Sequence, residues 1–216
     1  MLNDPPNTTG ALLLSGVTAG IVFIGVTAVE IFARPGFDIT RHAVSVLSLG
    51  ERGWVMTATF IVSGILTLLC ALGMRQALGG AAGGIWVPIL IGLYGLGLIL
   101  AGIFPAPAGL GFPPGTPRDQ MPVMTPTAIV HSIAFMLAYI SLIAACFVLA
   151  RTFSGLGTLP YFYVAMGVLI PAMIVLGMAN VIATGVAFYI GAIFGWLVVA
   201  GAAIVLTAQR HMALAS

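Results

Sequence analysis

The feature that most limits the fold of this chain is its series of long apolar runs. Of the 216 residues, 61% are hydrophobic and only 6% are charged, whereas a soluble domain carries about 25% charged residues. An apolar run of about 20 residues forms a helix that can cross a hydrocarbon core ~30 Å thick. The alternation typical of membrane-spanning strands is missing from the sequence. The pattern therefore predicts an all-α, polytopic membrane helix bundle.

Six spans account for the apolar runs. The last run, from 160 to 208, is about 49 residues long, which is too long for one crossing at ~1.5 Å per residue. It must fold as a hairpin, and the polar sequence Asn180–Gly185 is the best place for the turn. We expect a single six-helix transmembrane domain over residues 1–216, with spans at about 10–33, 53–74, 85–104, 126–150, 160–182 and 186–208.

Six crossings place both termini on one side of the membrane, here called face A. The loops after spans one, three and five lie on the other side, face B. The arginines of face A stand alone at helix ends, as cytoplasmic anchors do, whereas those of face B are mixed with acids. We expect both termini to be cytoplasmic. All seven basic residues are arginine, which indicates a GC-rich bacterial genome and hence the cell inner membrane.

Charge and cysteine content narrow the classes of partner. A net charge of only +2 argues against a nucleic-acid partner. Cys70 and Cys146 both fall within apolar runs, which predicts two small core residues and not a disulfide or a metal pair. We predict no cofactor and no metal, and membrane lipids as the partners, with a larger membrane protein complex as an alternative.

Polar residues concentrate on face B. The loop after span one, "FDITRHAVSVLSLGERGW" from Phe37 to Trp54, mixes acids, arginines, a histidine and serines. The third loop, residues 105–126, holds seven of the thirteen prolines, so it cannot be helical, and we expect it to cap the mouth of the bundle. Glu30 and His131 are ionisable groups inside spans, which are costly in a membrane and by default suggest function.

Four interpretations of the first loop remain open. The loop is expected to form a short helix at the interface, in which Asp38, His42 and Ser45 share one face. That set resembles a nucleophile, a base and an acid. Asp38 and His42, together with His131 and with Glu30 or Asp119 as a further ligand, also resemble a zinc site. Alternatively, Asp38 only caps the helix and Arg41 only touches lipid phosphate. In the fourth interpretation the loop forms a pocket for a polar headgroup, with Arg41 as the anion contact.

The candidate site is therefore a polar pocket on face B. We expect it to bind or process a lipid headgroup or a small polar ligand; whether the protein is an enzyme is left open. The alternatives are a non-catalytic accessory subunit of a membrane complex and a small proton-linked transporter, which would need a polar path to face A. The binding-pocket candidates are Glu30, Asp38, Arg41, His42, Ser45, Asp119, His131 and Asn180.

Three segments resemble a known membrane family. "FDITRHAVSVLSLGERGWVMTATFIVSGIL", "GLILAGIFPAP" and "TAIVHSIAF" resemble the bacterial and archaeal six-helix proteins catalogued as domain of unknown function 998. The family often has an aspartate after the serine of the first loop, where this chain has Val46. The family has no agreed activity, so the resemblance implies the fold and the place of the site. The residues that match its pattern are Arg41, His42, Ser45, Leu47, Phe104, Pro105 and His131.

Overall fold

A computed structural model describes the backbone of residues 8–215 and the side chains of residues 8–213. It contains six helices that are long and apolar enough to cross a membrane, and no strand lies in the described range. The predicted fold class is confirmed. The helices are α1 (Thr8–Ala33), α2 (Gly53–Leu78), α3 (Trp86–Ile103), α4 (Pro126–Thr152), α5 (Leu159–Met178) and α6 (Thr184–Ala215).

The six helices form a closed ring. Each packs against the next in the chain, and α6 returns to pack against α1. Small residues allow the close approaches that helix packing in lipid requires. A Cβ atom on Gly64 of α2 would lie 2.6 Å from the carbonyl oxygen of Gly95 on α3, so these two backbones touch directly.

The interior of the ring differs between its two halves. Towards face A it is filled by buried apolar side chains, among them Leu142, Trp196 and Val199. Cys70 and Cys146 belong to this core, and both are buried free thiols, as predicted. Towards face B the ring encloses a cavity, and the two long connections of that face contribute to its lining.

The helix ends follow from recognisable local signals. Thr125 caps α4, because its hydroxyl accepts a hydrogen bond from the Ala128 amide at 3.2 Å, and Pro126 occupies the first helical position. The last apolar run turns between Met178 and Thr184, where the polar sequence predicted the hairpin. The sixth helix continues to Ala215, beyond the predicted end at 208.

The first loop does not form the predicted interfacial helix. Residues 38–42 make one hydrogen-bonded turn, in which the His42 amide donates to the Asp38 carbonyl at 2.8 Å. Ala43 is extended, and a short 3-10 helix then covers Val44–Ser48. The helix is interrupted because the His42 ring folds back and accepts a hydrogen bond from the Asp38 amide at 3.0 Å. Asp38, His42 and Ser45 therefore do not share one helical face.

A buried carboxylate holds this loop on the bundle. Glu30, at the face-B end of α1, is 1% exposed and forms ion pairs with Arg34 Nε at 3.0 Å and Arg52 Nη2 at 2.6 Å. Arg34 also donates to the carbonyl of Leu47 and, at 3.1 Å, to that of Leu49. One carboxylate thus links α1, the 3-10 helix and the start of α2.

The proline-rich loop is non-helical and covers the first loop. Phe112 is buried and packs edge-on against Phe37, with ring centroids 5.6 Å apart. The Arg41 guanidinium donates to the Arg118 carbonyl at 3.1 Å. These contacts join two loops that are far apart in sequence, so the expected cap is present.

Glu30→Gln should destabilise the fold strongly, because it leaves the buried Arg34 without a counter-charge. Breaking a buried pair by removing one partner costs about 3–5 kcal/mol. Arg52→Gln should cost much less, about 0–1 kcal/mol, because the Arg52 side chain is 53% exposed. Thermal unfolding in detergent compares the two, with the exposed acid variant Asp119→Asn as the control. Equal losses for Glu30→Gln and Asp119→Asn would contradict the account.

Six crossings also predict the accessibility of the chain ends. In a Cys70→Ala/Cys146→Ala background, single cysteines at Thr8 and Met212 should react with an impermeant thiol reagent from the same side of the membrane. A cysteine at Asp119, on face B, should react only from the other side. Labelling of the two ends from opposite sides would refute the topology.

Candidate functional site

A cavity of about 460 Å³ lies inside the face-B half of the ring. Every one of the six helices and both long face-B loops contribute to its lining. Its size falls within the range of ligand pockets, about 300–1,000 Å³. Most of the lining is apolar, whereas the sequence predicted a polar pocket. Its polar side chains include Arg41, His42, Ser45, Tyr94, His131, Ser132, Tyr139 and Thr184.

His42 forms part of the roof of the cavity and is fully hydrogen-bonded. It is 5% exposed, and its Nδ1 accepts from the Asp38 amide at 3.0 Å. The other nitrogen, Nε2, lies 3.0 Å from the Leu110 carbonyl, so it must carry the proton and donate. Because both ring nitrogens are engaged, His42 joins the two loops and is not available as a base.

His131 lies one and a half turns into α4 and also lines the cavity. Its Nδ1 donates to the carbonyl of Phe104 at 2.8 Å, which satisfies an acceptor at the C-terminal end of α3. The Nε2 atom therefore bears a lone pair. The Ala101 carbonyl, one turn earlier in α3, is a second backbone acceptor beside the ring. Because His131 also lines the cavity, its ring can be reached by an occupant there.

Arg41 and Ser45 lie at the rim of the cavity. Arg41 is exposed, and only one of its nitrogens, Nη2, is held by a carbonyl, that of Arg118. The remaining N–H groups of the fork are free to bind an anion. The hydroxyl of Ser45 is half-buried and makes no hydrogen bond to the described part of the chain.

The other four candidate residues do not line the cavity. Glu30 is held in the ion pairs with Arg34 and Arg52. Asp38 is exposed, and its carboxylate accepts from the hydroxyl and amide of Thr40 at 2.6 and 2.9 Å, which lowers the pKa of that carboxyl. Asp119 is exposed in the third loop. Asn180 is exposed and accepts a hydrogen bond from Thr184 at 3.2 Å.

Neither the catalytic nor the metal interpretation of the first loop is formed. The Asp38 carboxylate points to Thr40 and not to the His42 ring, and that ring has no free nitrogen with which to accept a proton from Ser45. Within residues 8–213, no three His, Cys, Asp or Glu side chains come together in a group that could hold a metal ion. The polar side chains that line the cavity thus belong to neither of these two arrangements.

Sequence reasoning missed the polar groups deep in the cavity. Tyr94 and Tyr139 lie near the middle of α3 and α4, and both side chains line the cavity. Neither hydroxyl is hydrogen-bonded to the described residues, although a buried tyrosine hydroxyl usually finds a partner. A tyrosine within an apolar run was the signal in the sequence. The i, i+4 spacing of Glu30 and Arg34 was a similar signal for the buried ion pair.

Comparison with known proteins gives a family and no activity. Searches of curated proteins and of solved structures found no match. The family described as "Protein of unknown function (DUF998)" matches residues 17–209. That range runs from the first turns of α1 almost to the end of α6, and it contains every residue that lines the cavity. The chain belongs to this family of proteins of unknown function.

Proposed function

We propose that the protein binds a membrane lipid or a related amphiphile in the face-B cavity. The observation that carries the proposal is the composition of the cavity, which is mostly apolar but has Arg41, Ser45 and His131 where it approaches face B. Such a lining matches a ligand with an apolar body and a polar end. The free N–H groups of Arg41 suit an anionic end such as a phosphate.

The shape of the cavity favours binding over transport. Below Tyr94 and Tyr139 the ring is filled by core residues such as Leu142, Cys146 and Trp196, all buried. A proton-linked transporter would need a polar path through this region. Such a path would use Glu30 and His131, but only His131 lines the cavity. Glu30 lies outside the lining and is paired with arginines.

We place the protein in a bacterial inner membrane with face A in the cytoplasm. The support is the pattern of arginines, which stand singly at the face-A helix ends Arg75, Arg151 and Arg210. The cavity would then accept its ligand in the outer half of that membrane. Whether the bound ligand is also chemically changed is outside this proposal.

Arg41→Gln should weaken binding of an anionic amphiphile and leave the fold intact. Hydrogen bonds to charged groups contribute about 1.5–3 kcal/mol, so affinity should fall about tenfold or more. The measurement is the thermal stabilisation of the detergent-solubilised protein by phosphatidylglycerol, by phosphatidylcholine and by sn-glycerol phosphate. A response to sn-glycerol phosphate equal to that of phosphatidylglycerol would identify a free phosphate as the ligand.

Arg118→Gln is the matched control, because Arg118 contacts Arg41 only through its backbone carbonyl. Both variants remove one exposed positive charge from the same region. Equal loss of the phosphatidylglycerol response in both variants would show a general charge effect and contradict a site at Arg41.

His131→Asn should lower lipid binding more than stability. The asparagine amide can replace Nδ1 as donor to the Phe104 carbonyl, but it offers nothing in place of Nε2. His131→Ala loses both, and the unsatisfied carbonyl should cost about 1–3 kcal/mol of stability. We expect His131→Asn to melt near wild type with a reduced phosphatidylglycerol response. A low melting temperature with an unchanged response in the folded protein would make His131 a packing residue.

A further inference from the structure

Part of the cavity wall faces the surrounding membrane. Ser132 and Met136 of α4 and Met178 of α5 line the cavity, yet all three are exposed on the outside of the ring. The exposed fractions of Met136 and Met178 are 52% and 69%. A residue that both lines a cavity and reaches the outer surface marks an opening. We call the gap bounded by these three residues the lateral window.

The window lies between the face-B halves of α4 and α5, where both helices line the cavity. In the face-A half, a Cβ atom on Gly167 would lie 2.9 Å from the Phe147 ring, so the helices are in contact there. In the face-B half, side chains of both helices line the cavity, which therefore lies between them. Pro171 lies within α5 between Gly167 and the cavity-lining residue Ile174. It cannot donate to the Gly167 carbonyl, so one helical hydrogen bond is missing there.

The upper end of α5 stays with α6 instead. A Cβ atom on Gly177 would lie 2.9 Å from the Cβ atom of Ala187. Phe135 of α4 stacks on Phe188 of α6, with ring centroids 5.7 Å apart, so side chains of these two helices meet at the cavity wall. The window is thus framed by α4 on one side and the α5–α6 hairpin on the other, at the depth of the spanning segments.

The inside of the cavity continues from the window to the centre of the bundle. Phe23, Phe60 and Tyr94 line its inner side. Trp196 packs against Phe23 and Tyr94, with ring centroids 5.4 and 5.6 Å apart, and it is 1% exposed. An occupant that passes through the window along this apolar surface would come close to the Trp196 indole.

We infer that an acyl chain of a bilayer lipid enters the cavity through the lateral window and extends towards Trp196. This inference rests on the proposed function. It adds what the apolar part of the ligand is and the route by which that part enters the cavity. The proline-rich loop and His42, joined through the Leu110 carbonyl, lie on the face-B side of the cavity, whereas the lateral window opens at the depth of the apolar chains. The headgroup remains at the level of Arg41 and His131.

The test uses Trp196 as a reporter. The variant Trp54→Phe/Trp86→Phe removes the two exposed tryptophans and leaves Trp196 as the only tryptophan, which is excited selectively at a wavelength that tyrosine does not absorb. The full chain is reconstituted in phosphatidylglycerol vesicles, with or without bromine atoms midway along the acyl chains, which quench tryptophan only at close range. We expect the brominated lipid to reduce Trp196 emission. Ile140→Trp, at a 58% exposed position on α4, combined with Trp196→Phe, shows the quenching that bulk lipid causes.

Two substitutions test the route. Ser132→Phe and Met178→Phe should each narrow the window and restore Trp196 emission in brominated vesicles. Ile133→Phe is the matched control, because Ile133 is exposed to lipid next to Ser132 but does not line the cavity. Melting curves show which variants are folded. Because there are two window variants, the test can still be read if one of them does not fold.

The outcomes separate this inference from the proposed function. Quenching of Trp196 that both window variants reduce supports the inference. Quenching that neither folded variant changes overturns the window as the route. If brominated lipid leaves Trp196 emission unchanged while phosphatidylglycerol still stabilises the protein in a way that Arg41→Gln abolishes, the acyl-chain inference fails and the proposed function stands. If neither probe acts, both proposals fail.

Discussion

The architecture of face B depends on the burial of one carboxylate. Glu30 ends up almost inaccessible, and a lone charge at that depth would be prohibitively costly. Two arginines neutralise it, and one of them, Arg34, uses its other N–H groups to hold the carbonyls of Leu47 and Leu49. This fixes the position of the 3-10 helix, which places His42 and Ser45 over the cavity. The residue most easily taken for a catalyst or proton carrier therefore serves to build the roof of the site.

The roof is completed by a hydrogen bond between residues that are distant in the chain. His42 receives a hydrogen bond from its own loop and gives one to the carbonyl of Leu110 in the proline-rich loop. His131 performs a similar task below, where it binds the end of α3 through Nδ1. The two histidines differ in their setting. His42 joins two loops of the roof, whereas His131 lies on the wall of the cavity within α4, where a ligand can contact it.

How well each feature could be predicted depends on how far apart in the sequence its determining residues lie. The six helices were predictable because each follows from the composition of one continuous apolar run. The start of α4 was predictable because two adjacent residues, Thr125 and Pro126, determine it. The first loop was not predictable in the same way. Its periodicity suggested a helix, but the ring of His42 and the guanidinium of Arg34 bind backbone groups that helical geometry would have placed elsewhere. The apolar character of the cavity was also missed, because it depends on which helix faces meet around an empty space.

The central claim is that the face-B cavity holds a membrane amphiphile with its polar end at Arg41 and His131. The most direct measurement is an electron cryo-microscopy map of the protein in phosphatidylglycerol nanodiscs at a resolution that shows bound lipid. The account predicts elongated density inside the cavity, continuous with the membrane between α4 and α5, with a headgroup beside Arg41. A cavity that is collapsed or filled by ordered water, with lipid density confined to the outer surface of the ring, would contradict it.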